Sequence, residues 1–210
     1  MKKPFFGVYN PSIILTYISV FCALAGIGTL LKAESGSLSC MTTVIILLIA
    51  CGVCDMFDGA IARKCKRTDV EKEFGIQLDS LADTVAFVVY PSIILLHICN
   101  FDAASYIISC AYAFAGIMRL GWFNVTVEDN KGYFQGMPVT TSAAIIPLSY
   151  LILSKLGFET SVLTVLIKVL FGIIACLFIA NFRFKKPRGK SKAIMAVIAL
   201  IVAATIIILL

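Results

Sequence analysis

Residues 40–63 read CMTTVIILLIACGVCDMFDGAIAR, an apolar run that turns acidic, then small, then basic within its last nine residues. A helix needs about 20 apolar residues to cross a hydrocarbon core roughly 30 Å thick, and this run supplies fifteen residues before its first carboxylate, so that carboxylate falls toward the end of a span. The rest of the chain repeats the pattern. Of 210 residues, 60% are hydrophobic and only 14% charged, with a mean hydropathy of +0.98, well outside the composition of soluble domains. The expected fold class is therefore all-α, a polytopic integral membrane protein. Its length leaves no room for a separate soluble domain, so residues 1–210 read as one transmembrane domain.

Apolar runs near 12–31, 40–62, 77–98, 103–121, 139–155, 160–181 and 193–210 predict about seven transmembrane helices. No Ala-x-Ala type cleavage site follows the basic start, so the run at 12–31 is expected to stay as a helix. The eight cysteines are scattered through apolar runs. Cys51 and Cys54 have redox-pair spacing but no βαβ context, and they read as small membrane-buried side chains. The net charge of +6 could suggest nucleic acid, but the basic residues cluster in short segments between apolar runs. With the N-terminus cytoplasmic, the cluster from Arg63 to Lys72, Arg119, Lys131 and the cluster from Arg183 to Lys192 share one side with Lys2 and Lys3. Only Lys32 and Lys155 fall opposite. That imbalance satisfies the positive-inside rule, supports an odd number of spans with the C-terminus outside, and turns the charged loops toward the cytoplasm. No internal repeat is visible, which argues against an inverted-repeat transporter.

Asp55, Asp58, Asp79 and Asp83 sit at the expected cytoplasmic ends of the second and third spans, where each charge costs about 2.5–3.5 kcal/mol even on a lenient insertion scale. Asp55 and Asp58 are i, i+3 on one helix and Asp79 and Asp83 i, i+4 on the next, so each pair shares a face. Two such helices facing each other would converge four hard oxygen ligands, a set suited to Mg²⁺ or Mn²⁺. Gly59 and Ala62 continue the Asp55 face as a strip poor in side chains. Arg63 adds a guanidinium suited to phosphate, and Gly75 repeats the opening one turn before Asp79. The chemistry implied is phosphoryl transfer.

The run Asp55-Met56-Phe57-Asp58-Gly59-Ala60-Ile61-Ala62-Arg63, followed by Gly75, Asp79 and Asp83 at four-residue steps, resembles the signature of the CDP-alcohol phosphotransferase family. The resemblance implies a six-helix core, a likeness that leaves a seventh span unexplained. It also implies that the first three aspartates chiefly hold two divalent ions against the CDP diphosphate, with Asp83 completing the metal set and acting as the base on the acceptor hydroxyl. Asp55, Gly59, Ala62, Arg63, Thr68 and Gly75 would form the CDP-diacylglycerol site, and a homodimer is implied as the assembly. Eleven residues separate Arg63 from Gly75, more than the family spacing, and the charged stretch from Lys64 to Phe74 reads as a solvated connector.

Leu78-Asp79-Ser80-Leu81-Ala82-Asp83, Gly116-Ile117-Met118-Arg119-Leu120 with Phe123-Asn124, and Phe134-Gln135-Gly136-Met137-Pro138 resemble the serine-using branch, whereas glycerophosphate-using relatives carry Pro at the position of Ser80. The implied substrates are CDP-diacylglycerol and L-serine, in the cell (inner) membrane with the site facing the cytoplasm. Arg119 would pair with the serine carboxylate, with Asn124 and Gln135 as further polar contacts. Two alternatives stand beside this one: glycerol 3-phosphate or inositol phosphate as acceptor, and a cation transporter. Lys168, inside the sixth run without an evident acidic partner, is expected to snorkel or to bind a phosphate, and His97 and Trp122 to lie at interfaces.

Overall fold

The computed structural model describes residues 10–34, 37, 40–126 and 133–185. A 3₁₀ turn, Pro11–Ile13, leads into α1 (Ile14–Lys32), followed by α2 (Met41–Lys64) and α3 (Asp69–Asp83). A π-wound segment, Thr84–Val89, carries α3 without a break into α4 (Tyr90–Ile98). Then come α5 (Ala103–Thr126), α6 (Ser142–Lys155) and α7 (Thr160–Ile179). Among the described residues five helical stretches are long and apolar enough to cross a membrane: 14–32, 41–64, the continuous 69–98, 103–126 and 160–179. The protein is a multi-pass membrane protein. The sixth apolar helix, within 139–155, is shorter, and the seventh expected span, 193–210, lies outside the described residues.

Two expectations need correction. The stretch from Lys64 to Phe74 is not one long connector, because α3 begins at Asp69 and only Cys65 to Thr68 join it to α2. The reason is local. Thr68 caps the helix by accepting the Glu71 N–H at 3.3 Å, while the Glu71 carboxylate accepts the Thr68 N–H at 2.8 Å, a capping box that meets two free donors at once. Asp69 and Glu71 also place negative charge at the positive end of the helix dipole.

The second correction is Lys168. It neither snorkels nor waits for a phosphate, but pairs with Asp102 in the turn between α4 and α5. Asn100 and Phe101 build that turn with positive φ of 52° and 54°. Asp102 then accepts the Ser105 N–H at 2.7 Å, capping α5. The Lys168 ammonium first, and the Ser105 amide second, hold the Asp102 carboxyl below the usual carboxylate range.

The core forms where small residues let helices meet. Gly26 on α1 leaves room for the ring of Tyr90, whose hydroxyl donates to the Val44 carbonyl on α2 at 2.7 Å. One side chain thus ties α1, α2 and α4 together. Tyr112 on α5 lies against Phe171 and Phe178 of α7, with ring centroids 5.0 and 5.3 Å away. All eight cysteines are free thiols, and Cys51 donates to the Ser19 carbonyl at 3.3 Å. His97 is buried, its Nε2 3.1 Å from the Ser37 carbonyl.

A short antiparallel ribbon was not expected. β1 (Tyr133–Gln135) pairs with β2 (Arg183–Lys185), Phe134 opposite Phe184. Gly136 closes it at φ +71°, where an added Cβ would stand 3.0 Å from the Ala180 carbonyl oxygen, so only glycine fits without strain.

Candidate active site

The short link at 65–68 joins the end of α2 to the start of α3. Asp55 and Asp58 from α2 and Asp79 from α3 place carboxylate oxygens within 4.8 Å of one another. Asp83, one turn deeper along α3, lies outside that group but within electrostatic reach of all three. None of the four forms a salt bridge among the described residues, whose ion pairs are Lys72–Asp69 and Lys168–Asp102. Four carboxylates inside helices that cross a membrane, converged and without a protein counter-charge, repel one another unless a cation joins them. The donor set, hard oxygens only, fits a divalent ion of the Mg²⁺ or Mn²⁺ type.

Toward the linked ends of both helices the side chains shrink and then become basic. A Cβ on Gly59 would meet Arg63 Nη1 at 3.5 Å, so that guanidinium folds back over the glycine. A Cβ on Gly75 of α3 would meet Nη1 of Arg67, from the link before that helix, at 3.4 Å. Ala62 is half-buried on α2. Thr68 stands at the start of α3 with its hydroxyl engaged by Glu71.

The residues expected to meet the acceptor are spread over two faces of α5. Ser80, next to Asp79, donates to Asn124 Oδ1 at 3.0 Å, which joins two positions 44 residues apart in sequence beside the carboxylates. Arg119, five residues earlier and so about 140° around the helix, is buried. Its Nε donates to the Met137 carbonyl at 3.2 Å and its guanidinium stands 5.8 Å from the Phe123 ring centroid. Arg119 and Trp122 also line a cavity of about 210 Å³ against Phe178 and Ile179 at the end of α7. Gln135 belongs to β1, and its side chain lies outside the described residues.

The sequence model described as CDP-alcohol phosphatidyltransferase matches residues 9–180, most of the chain. The protein belongs to the CDP-alcohol phosphatidyltransferase family. Its relatives include a Helicobacter pylori protein named CDP-diacylglycerol–serine O-phosphatidyltransferase, 32% identical over 72% of this chain and 65% of its own length. An archaetidylserine synthase of Methanothermobacter thermautotrophicus is 32% identical over 64% of this chain and 60% of its own. A second protein named CDP-diacylglycerol–serine O-phosphatidyltransferase, from Bacillus subtilis, is 30% identical over 71% of this chain and 89% of its own. The chain thus spans a little under two thirds of the first two of these relatives.

Three features of this family member carry little or no signal in the sequence. Arg67 was read only as a topogenic charge, and nothing in its spacing distinguishes it from Lys64 or Lys66. The Ser80–Asn124 bond joins two separately chosen positions, a pairing visible only in three dimensions. The π-wound segment had a signal: Pro91 has no N–H, so the Phe87 carbonyl four residues earlier loses its ordinary helical donor. The Tyr112 hydroxyl takes that place, donating to Phe87 at 2.8 Å, with the Ser142 hydroxyl at 3.5 Å.

Proposed function

We propose that this protein transfers the phosphatidyl group of CDP-diacylglycerol to the hydroxyl of L-serine, giving phosphatidylserine and CMP. The observation that carries the reading is the convergence of Asp55, Asp58 and Asp79 with Asp83 one turn beyond them. Names of relatives on both sides of the bacterial and archaeal divide support serine as acceptor.

Asp55, Asp58 and Asp79, with Asp83 at the margin, would hold two divalent ions of the Mg²⁺ or Mn²⁺ type, which when bound supply charge neutralisation at the diphosphate and the CMP leaving group. Gly59, Ala62 and Gly75 leave room for the CDP moiety to approach the helices, and Arg63 offers a guanidinium to its phosphates. Asp83 takes the proton of the serine hydroxyl as that oxygen attacks the phosphorus next to the lipid. The bond from this phosphorus to the CMP oxygen breaks, and the electron pair leaves with CMP. Arg119, buried without a carboxylate partner among the described residues, meets the serine carboxylate, and Asn124, held by Ser80, meets its polar end. The reading places the site at the cytoplasmic face of the cell membrane, supported by the basic residues around it, and takes the family's homodimer as the assembly.

The test is an acceptor panel on the purified protein with CDP-diacylglycerol and either Mg²⁺ or Mn²⁺. Serine is expected to give phosphatidylserine and CMP in equal amounts. Product only with glycerol 3-phosphate or inositol phosphate would transfer the reading to that acceptor, and no CMP with any alcohol would leave the transporter reading standing.

A further inference from the structure

We infer that Arg67, in the link that leads into α3, is a second diphosphate-binding guanidinium, the counterpart of Arg63 on α2. The inference rests on the phosphatidyltransfer reading and adds a residue to it. Both helices present the same order from the carboxylates outward: an aspartate, a glycine one turn away, then a guanidinium lying over that glycine. On α2 these are Asp55, Gly59 and Arg63; on the other side, Asp79 and Gly75 of α3 and Arg67 of the link before it. The guanidinium nitrogens stand 3.5 and 3.4 Å from where a Cβ on each glycine would be, so each arginine lies in van der Waals reach of its glycine.

Arg67 is half-buried, although it belongs to the short link between α2 and α3. The acidic residues around it are already engaged. Asp69 pairs with Lys72 at 2.8 Å and Glu71 closes the capping box on Thr68. No carboxylate is salt-bridged to Arg67 or Arg63 among the described residues. A cation laid from the link over Gly75 of α3, beside acidic neighbours that it does not pair with, is placed for an anion that comes from outside. Charge agrees. Two divalent ions would offset the four aspartates, which leaves the two negative charges of a diphosphate diester to be matched by two guanidinium groups. A planar fork suits that group better than the point charge of Lys64 or Lys66.

The experiment titrates CDP, a water-soluble diphosphate, into purified full-length wild type, Arg67→Gln and Arg67→Lys in detergent with Mn²⁺, and measures KM for CDP-diacylglycerol and for serine on the same preparations. Charge-assisted contacts to phosphate predict a CDP affinity roughly tenfold weaker in Arg67→Gln, with a smaller loss in Arg67→Lys. The CDP-diacylglycerol KM is expected to rise in parallel while the serine KM stays within about twofold. Thermal unfolding should be unchanged, since Arg67 forms no ion pair. CDP affinity equal to wild type in Arg67→Gln, or a change confined to serine, overturns the role of Arg67 while phosphatidyltransfer stands. A wild-type protein that neither binds CDP nor releases CMP overturns the transfer reading, and this inference with it.

Discussion

Asp83 differs from Asp55, Asp58 and Asp79 by position rather than chemistry: it is the one carboxylate left outside the 4.8 Å group. The two kinds of substitution should therefore separate. Asp55→Asn, Asp58→Asn and Asp79→Asn are each expected to abolish transfer and weaken Mn²⁺ binding, because a neutral amide is a poor ligand for a hard cation. Asp83→Asn is expected to stop transfer while CDP-diacylglycerol still binds, which a lipid-binding assay reads directly; loss of lipid binding would make Asp83 chiefly a ligand. Arg119→Lys should raise the serine KM about tenfold or more and leave the lipid KM nearly unmoved, since an ammonium cannot reproduce the fork. Equal damage to both substrates would move Arg119 to the diphosphate. The aspartates were legible in the sequence because carboxylates at i, i+3 and i, i+4 beside apolar runs have no inexpensive structural explanation. Arg67 was not, since a basic loop residue has an ordinary one in topology.

At the scale of elements, the apolar periodicity located the helices but not their joints. The start of α3 was written in Thr68 and Glu71, four residues of capping-box pattern hidden inside a stretch whose charge suggested a loop. Within the winding between Asp83 and Tyr90, Pro91 leaves the Phe87 carbonyl without its ordinary donor, and hydroxyls of α5 and α6 take that place. Tyr112→Phe leaves the buried Phe87 carbonyl with only the longer Ser142 contact at 3.5 Å, and a loss of about 1 kcal/mol of stability is expected in thermal or denaturant unfolding. Gly26→Ala should cost about 1–3 kcal/mol, because its Cβ would fall 1.9 Å from the Tyr90 hydroxyl. The Lys168–Asp102 pair, 66 residues apart, had no sequence signal at all. Its pH dependence is a check. A carboxyl held below its usual range stabilises the fold above that range, so the Tm gap between wild type and Asp102→Asn should be constant near neutrality. The gap should begin to close as the pH falls below about 4 and vanish once it passes below the folded-state pKa. A gap independent of pH would mean that the pair contributes nothing through charge.

For the whole molecule, hydropathy was enough to assign an all-helical membrane protein, because the bilayer admits few other solutions to the backbone hydrogen-bond problem. It could not show the ribbon joining residues 133–135 to 183–185, whose pairing is held by the Gly136 turn and is local to no single run. Nor could it show that the carboxylates converge while Arg119 and Asn124 leave α5 on different sides. What makes these parts one enzyme in this account is a single requirement, that divalent ions held by α2 and α3 meet a CDP-linked lipid. CMP release from CDP-diacylglycerol in the presence of serine, followed as Mn²⁺ is titrated into the metal-stripped protein, tests it most directly. Release is expected to be absent without metal, to rise and saturate with Mn²⁺ in wild type, and to stay absent in Asp79→Asn at every concentration. CMP release that ignores the metal, or that survives in Asp79→Asn, would contradict the account.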